Sequence, residues 1–366
     1  MNMKQSLVNN QTKHNNIRLS LNDRVKKTPE INSAISLSRI LGMVFIVLCH
    51  IIKYFEFVPM HESLAQFFNC GVDLFLFISG YLYGGKIVLN FKRWFTKRII
   101  AIVIPSVLVS IIVIIALFFA NEYTSINSII VYCLDLEGLL FINGHFSAFF
   151  NNIESLGPLW FTTIIMFCYL LVPLLQMMSR KIKIKKFIVP FIILGSVFSV
   201  ATSTFFYTFY FYIFAVGYFL GNTQFMKNVK TKFFLIHSGA FVCALIGRLL
   251  LQRMIDGTFL YNSYVSLSQF IVGTWFVTLF AFLMNINPCM IERICKAKIT
   301  RTIDGYSFYV YLVHGIFCVG VFNIFNKIGL IEATFAFLAL TIFCAFITKI
   351  VCKLIQKRIV AFLNFE

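Results

Sequence analysis

The sequence predicts an all-α membrane protein, a bundle of about ten transmembrane helices with both termini in the cytoplasm. Three observations predict it. The 366 residues are 59% hydrophobic and only 13% charged, whereas soluble domains run about 45–50% apolar and about 25% charged. The apolar residues fall into runs of about 20, enough to cross a hydrocarbon core. The basic residues gather in the short segments between alternate runs, as cytoplasmic loops do. The 45 Phe residues suit lipid-facing surface.

The chain opens on a polar stretch, MNMKQSLVNNQTKHNNIRLSLNDRVKKTPE, that lacks the early apolar core of a cleaved signal peptide. Residues 1–32 are therefore read as a flexible cytoplasmic tail, 33–355 as the membrane domain and 356–366 as a short cytoplasmic tail. Candidate spans lie near 36–56, 70–89, 99–119, 157–177, 187–203, 206–222, 233–251, 264–284, 306–325 and 333–352. The fifth and sixth are joined by little more than the stretch around Ala201–Phe206, a tight hairpin.

With the tail inside, the cytoplasmic segments hold 25 of the 32 Lys and Arg residues. The loop from about Ala120 to Leu156 holds none; it carries Glu122, Asp135, Glu137 and Glu154 and should face outward. The net charge of +18 thus follows from topology, and nucleic acid is not an expected partner. Membrane lipids are, because Lys92, Arg93, Lys97 and Arg98 form a basic platform that suits anionic headgroups. The ten cysteines lie mostly inside apolar runs without CxxC spacing. They read as small buried residues, and no metal is expected.

An ionisable side chain at the bilayer centre costs roughly 2.5–3.5 kcal/mol, so such groups tend to face the bundle interior and act there. The first span, RILGMVFIVLCH, begins with Arg39 and ends with His50. Eleven positions at about 100° each place the two within roughly 20° on one face, about 16 Å apart along the axis. Lys53 shares that side. The second span adds Asp73, which either pairs with a buried base or orients a catalytic ring, and Ser79. Its Gly71, Gly80, Gly84 and Gly85 permit close approach of a neighbouring helix. The ninth span, GYSFYVYLVHGIF, contributes Tyr309 and His314. Trp160 opens the fourth, where belt anchoring is the ordinary role of a tryptophan.

Taken together these segments resemble the integral-membrane acyltransferase family three, the O-acetyltransferases that modify bacterial surface carbohydrates. The resemblance spans roughly residues 33–355. It rests on Arg39 and His50 separated by ten residues, on GVDLFLFISGYL at 71–82, on KRWFTKRIIAIVIP, on Leu159–Trp160, and on YSFYVYLVH at 306–314. It implies acyl transfer from a cytoplasmic acyl-CoA, usually acetyl-CoA, to a sugar hydroxyl of a surface polysaccharide or lipid-linked glycan. It further implies a bacterial inner-membrane location and essential roles for Arg39 and His50.

The chemistry suits these residues. A sugar hydroxyl needs a base within hydrogen-bond reach as it attacks, and an imidazole serves near neutral pH. His50 is the expected base, with Asp73 the candidate to orient it. Arg39, Arg93 and Arg98 are the expected contacts to the phosphates of CoA. Ser79, Trp160, Tyr309 and His314 are expected to support substrate binding. A route through a transient acyl-histidine stays open. The rival class is a polysaccharide or glycan-lipid transporter without acyl transfer, since intramembrane ionisable residues serve transport pathways too.

Overall fold

A computed structural model describes residues 29–58, 60–122, 124–141, 152–181, 184–201, 206–255 and 259–363. Residues 1–28 of the predicted N-terminal tail, residues 364–366 and the turn of the predicted hairpin, 202–205, lie outside the described residues; 356–362, read as a tail, continue the last helix. What is described is helical, with no strand among the described residues.

The first helix, α1, runs Pro29–Ile51 and continues as a short 3-10 turn, Ile52–Tyr54. The next span comprises α2, His61–Phe68, and α3, Cys70–Tyr83. It therefore starts earlier than the sequence suggested and is broken at Asn69. Helix α4, Phe91–Phe119, begins where the Asn90 side chain accepts the Arg93 backbone N–H, an N-cap that satisfies one orphan donor. Beyond it come α5, Ile126–Cys133, and two 3-10 segments, Glu137–Phe141 and Glu154–Leu159. Trp160 then opens α6, Trp160–Leu170, which is followed by α7, Val172–Lys181. The break between them precedes Pro173, which cannot donate to the helical ladder.

Helices α8, Ile184–Ala201, and α9, Phe206–Asn222, are followed by α10, Thr231–Ile255, and α11, Phe259–Ile286. A short amphipathic helix, α12, Pro288–Lys296, is capped by Asn287 and has Arg293 and Lys296 in its last turn. Helix α13, Lys298–Cys318, and the long α14, Leu330–Phe362, complete the bundle. Seven segments among the described residues are long and apolar enough to cross a membrane. Two further apolar helices are shorter, and α13 starts with Lys298, Arg301 and Asp304.

Helix α3 lies at the centre, packed against α1, α9 and α11. Its glycines explain how closely α9 approaches. A Cβ on Gly80 would strike the Phe214 carbonyl, and one on Gly84 the Tyr218 carbonyl. Reciprocally, a Cβ on Gly217 would strike the Phe77 carbonyl and one on Gly221 the Tyr81 carbonyl. Two glycines four apart on each helix thus bring backbone against backbone, the small-residue packing that membranes favour. Gly217→Leu should force the helices apart and cost about 1–3 kcal/mol. The expected result is a lower unfolding temperature in detergent; an unchanged one would contradict this account of the interface.

The acidic loop does not behave as one unit. Glu122 and Glu154 are exposed at the end of the bundle opposite the basic segments. Asp135 and Glu137 are instead buried, at 4% and 1% exposure, against α4 and α6.

Candidate active site

Helices α1 and α13 both leave the basic end of the bundle and run side by side. They meet at two levels. Near the basic end the Arg39 guanidinium grips Asp304 with two donors, Nε to Oδ1 at 3.0 Å and Nη2 to Oδ2 at 2.6 Å. Ser36, one turn earlier on α1, donates to the same Asp304 Oδ2 at 2.6 Å. Such a two-point clamp fixes geometry as well as charge. Farther along, the rings of His50 and His314 face each other with centroids 5.1 Å apart. On α1 the ion pair and the imidazole pair are separated by about 16 Å of rise. The spacing read from one helix is matched on its neighbour, where His314 follows Asp304 by ten residues.

The two imidazoles differ. His314 is fully buried, and its Nδ1 lies 2.6 Å from the Tyr311 carbonyl. A carbonyl only accepts, so Nδ1 carries the proton and Nε2 keeps its lone pair. That Nε2 is buried without a hydrogen-bond partner. His50 is only partly buried and makes no side-chain hydrogen bond among the described residues. The ionisable groups acting on it are His314 and Lys53. Lys53 is exposed, with its ammonium 5.1 Å over the Tyr54 ring. Two facing imidazoles disfavour simultaneous protonation, because like charges at that range repel. The pair is suited to holding one mobile proton.

A wall of polar contacts surrounds the pair on its outer side. Tyr311 lies beside His314, with ring centroids 5.8 Å apart, and its hydroxyl donates to the Pro158 carbonyl. Pro158 in turn packs on Gly315, leaving no room there for a Cβ. Tyr54 donates to the Cys318 carbonyl and accepts from Asn323 Nδ2 at 2.7 Å.

Asp73 stands elsewhere. It is buried on α3 with Oδ2 unpartnered, and the charge acting on it is Arg248 of α10. Arg248 is itself 6% exposed and reaches the Gln66 carbonyl at 3.4–3.5 Å. The structure thus sets Asp73 against a buried base and sets His50 against His314.

The basic end holds a second grouping. The Arg98 guanidinium lies 5.9 Å over the Tyr83 ring, and its Nε is buried without an acceptor. Tyr83 packs edge-on against Tyr169, with ring centroids 5.4 Å apart, and Ser79 lies near the Tyr169 hydroxyl. Arg93, one turn before, is exposed. Trp160 packs on Tyr210 with centroids 5.2 Å apart. Tyr309 turns toward Cys352 of α14, so it does not join the imidazole pair.

Sequence reasoning missed four groups. Asp304 is the first. The others are the buried Asp135, Glu137 and Thr162, which form one cluster. Thr162 Oγ1 lies 2.6 Å from Asp135 Oδ1, 3.3 Å from Glu137 Oε1 and 3.2 Å from Ser106 Oγ. Glu137 Oε2 has no partner. One hydroxyl cannot satisfy two carboxylates, which favours a proton held between them. Cysteines contribute no cross-link: all ten are free. No group of three metal-ligating side chains occurs among the described residues.

Comparison with known proteins gives one match. No curated protein and no solved structure matches the chain. The Acyltransferase domain of acyltransferase family three matches residues 32–351, from the start of α1 to the middle of α14 and across both levels of the α1–α13 pairing. The chain is therefore a membrane-embedded acyltransferase belonging to that family.

Proposed function

We propose that the chain is an O-acetyltransferase of the bacterial inner membrane. It moves an acetyl group from cytoplasmic acetyl-CoA to a hydroxyl of a cell-surface or lipid-linked carbohydrate. The observation that carries this is the facing pair His50–His314 inside the bundle of an acyltransferase.

His50 is the general base, since it is the more accessible ring of the two. His314 Nε2, buried and unpartnered, faces the His50 ring across 5.1 Å between centroids; a small turn of His50 brings one N–H onto it and leaves the other nitrogen's lone pair for the acceptor sugar. His50 takes the hydroxyl proton as the sugar oxygen attacks the thioester carbonyl. The C–O bond forms, the C–S bond breaks, and the imidazolium returns its proton to the CoA thiolate. His50 ends the cycle neutral. General-base assistance of this kind contributes about 10²–10⁴-fold.

Acetyl-CoA approaches from the basic end. Arg98 offers a buried Nε that lacks an acceptor, and Arg93 offers an exposed guanidinium at the rim. Arg39 retains its Nη1 donors for phosphate while Asp304 holds Nε and Nη2. Tyr169 packs against Tyr83 and steadies the aromatic face under Arg98, with Ser79 near the Tyr169 hydroxyl. Trp160 walls the site, and Arg248 supplies the positive charge that acts on the buried Asp73.

The test is transfer of label from radioactive acetyl-CoA to surface glycan by membranes containing the protein. Labelled glycan is the expected result. Glycan moved across the membrane without any acyl-CoA requirement would instead establish a transporter. A second test addresses the donor end. A hydrogen bond to a charged group is worth about 1.5–3 kcal/mol, so Arg98→Ala should raise the KM for acetyl-CoA by about ten-fold or more. The acceptor KM should not move. Equal acetyl-CoA KM values in both proteins would remove Arg98 from the donor site.

A further inference from the structure

At the end of the bundle opposite the basic segments, a cavity of about 220 Å³ opens between α4, α5, the 154–159 turn and the residues after α13. Its lining includes Glu122, Ser125, Ser128, Asn152, Glu154 and Gly320, and no Lys, Arg or His. We propose that this cavity is an acceptor subsite that holds one neutral or amine-bearing sugar ring and excludes anionic rings. The assignment rests on the acyl-transfer function proposed above and names the chemistry of its acceptor.

Three observations support it. The first is the inventory of hydrogen-bonding groups. Glu122 and Glu154 have no ion pair among the described residues. Their carboxylates offer acceptors alone, and neighbouring sugar hydroxyls can be gripped by one carboxylate. Asn152 supplies the opposite chemistry. Tyr132 takes the Ile153 backbone N–H at 3.2 Å and donates to Asn152 Oδ1 at 2.6 Å. This fixes the orientation of the amide and leaves its NH2 donors uncommitted. A polyol both donates and accepts, and the cavity presents both partners.

The second is position. Gly320 in the lining has φ +72° and sits directly on Ser155, whose hydroxyl donates to the Val319 carbonyl at 3.1 Å. Cys318, two residues earlier at the end of α13, donates its thiol to the His314 carbonyl at 3.3 Å. The cavity and the imidazole pair thus share the wall formed by residues 314–320. Four residues of helical rise, 314 to 318, amount to about 6 Å, and two non-helical residues add at most about 7 Å, close enough for the ring in the cavity to be the acylated sugar or its neighbour in the glycan. Tyr54, one turn beyond His50, interacts electrostatically with Glu154 across the same wall.

The third is size and charge. The volume is below the roughly 300–1,000 Å³ of drug-sized sites and suits a single ring. Two carboxylates without a compensating cation in the lining repel uronates and sugar phosphates.

The experiment uses the full chain in detergent and the individual sugars released by hydrolysis from the surface glycan of the producing cell. Saturation-transfer NMR reads their binding, and acetyl transfer reads the KM for the intact glycan. Neutral or amino sugars are expected to bind and uronates to fail. The double variant Glu122→Gln/Glu154→Gln should weaken binding and raise the glycan KM by about ten-fold, with the KM for acetyl-CoA unchanged. Both positions are exposed, so the unfolding temperature should stay within a degree or two of wild type. Uronate binding as strong as that of neutral sugars would overturn the assignment. So would wild-type sugar binding in the double variant, or no sugar binding in either protein. If the wild-type protein transfers acetyl and the double variant keeps its glycan KM, the subsite is wrong and the acetyltransferase stands. If the wild-type protein transfers nothing, the acetyltransferase fails and the NMR result decides the cavity by itself.

Discussion

His50→Ala should reduce acetyl transfer by about 10²–10⁴-fold, the usual worth of a positioned base. The substitution removes the accessible member of the imidazole pair and leaves His314 anchored to the Tyr311 carbonyl. The His50 side chain carries no hydrogen bond among the described residues, so the variant should fold and insert as wild type does. Single-turnover transfer of labelled acetyl, with acetyl-CoA binding measured in parallel, separates the outcomes. Loss of transfer with donor binding intact is the expected result. Full transfer would move the base to His314, whose unpartnered Nε2 is the nearest alternative on the same wall. His314→Ala makes a companion experiment. A smaller loss than for His50→Ala would agree with a ring that orients rather than abstracts.

Asp304→Ala should be the most damaging change outside the imidazole pair. It strips Arg39 of both clamp contacts and leaves Ser36 without its acceptor. Removing one partner of a fully buried pair costs about 3–5 kcal/mol. Here the Arg39 side chain is 39% exposed and Asp304 17%, so solvent screens part of that loss and about 1–3 kcal/mol is expected. The measurement is thermal unfolding in detergent beside acetyl transfer. The exchange Arg39→Asp/Asp304→Arg divides two roles of the pair. If the pair only fastens α1 to α13, the exchange should restore both unfolding temperature and activity. If Arg39 also faces CoA phosphate, stability should return and activity should not.

Much of this was legible because ionisable groups stand out in apolar runs. Arg39 and His50 announce themselves in RILGMVFIVLCH, and helical geometry alone puts them on one face. Asp304 was hidden by its surroundings. It follows Lys298 and Arg301, so it reads as ordinary charge at a cytoplasmic helix start. The available signal was the ten-residue interval to His314, which nearly repeats the interval on α1. The burial of Asp135 and Glu137 was hidden for a related reason. Charge rules assign a loop to a side of the membrane, and they carry no information on whether part of it folds back against α4 and α6. Thr162 and Ser106 are small hydroxyls within apolar helices, and sequence alone shows no partner for either. Asp73 was legible as a buried carboxylate, but the charge that acts on it, Arg248, lies 175 residues away in the equally apolar run LIGRLLLQ, where proximity depends on packing.

The clamp between Arg39 and Asp304 also has consequences for biosynthesis. Its partners are 265 residues apart. At about 5–20 residues per second, roughly 13–53 s of translation separate the emergence of the arginine from that of its carboxylate. Through that interval Arg39 must wait near the headgroups, extended along its aliphatic stem, while the intervening helices are inserted. The donor end and the imidazole pair both come together only when α13 arrives. A nascent chain interrupted before that point would occupy the membrane without presenting a working acyl-transfer site.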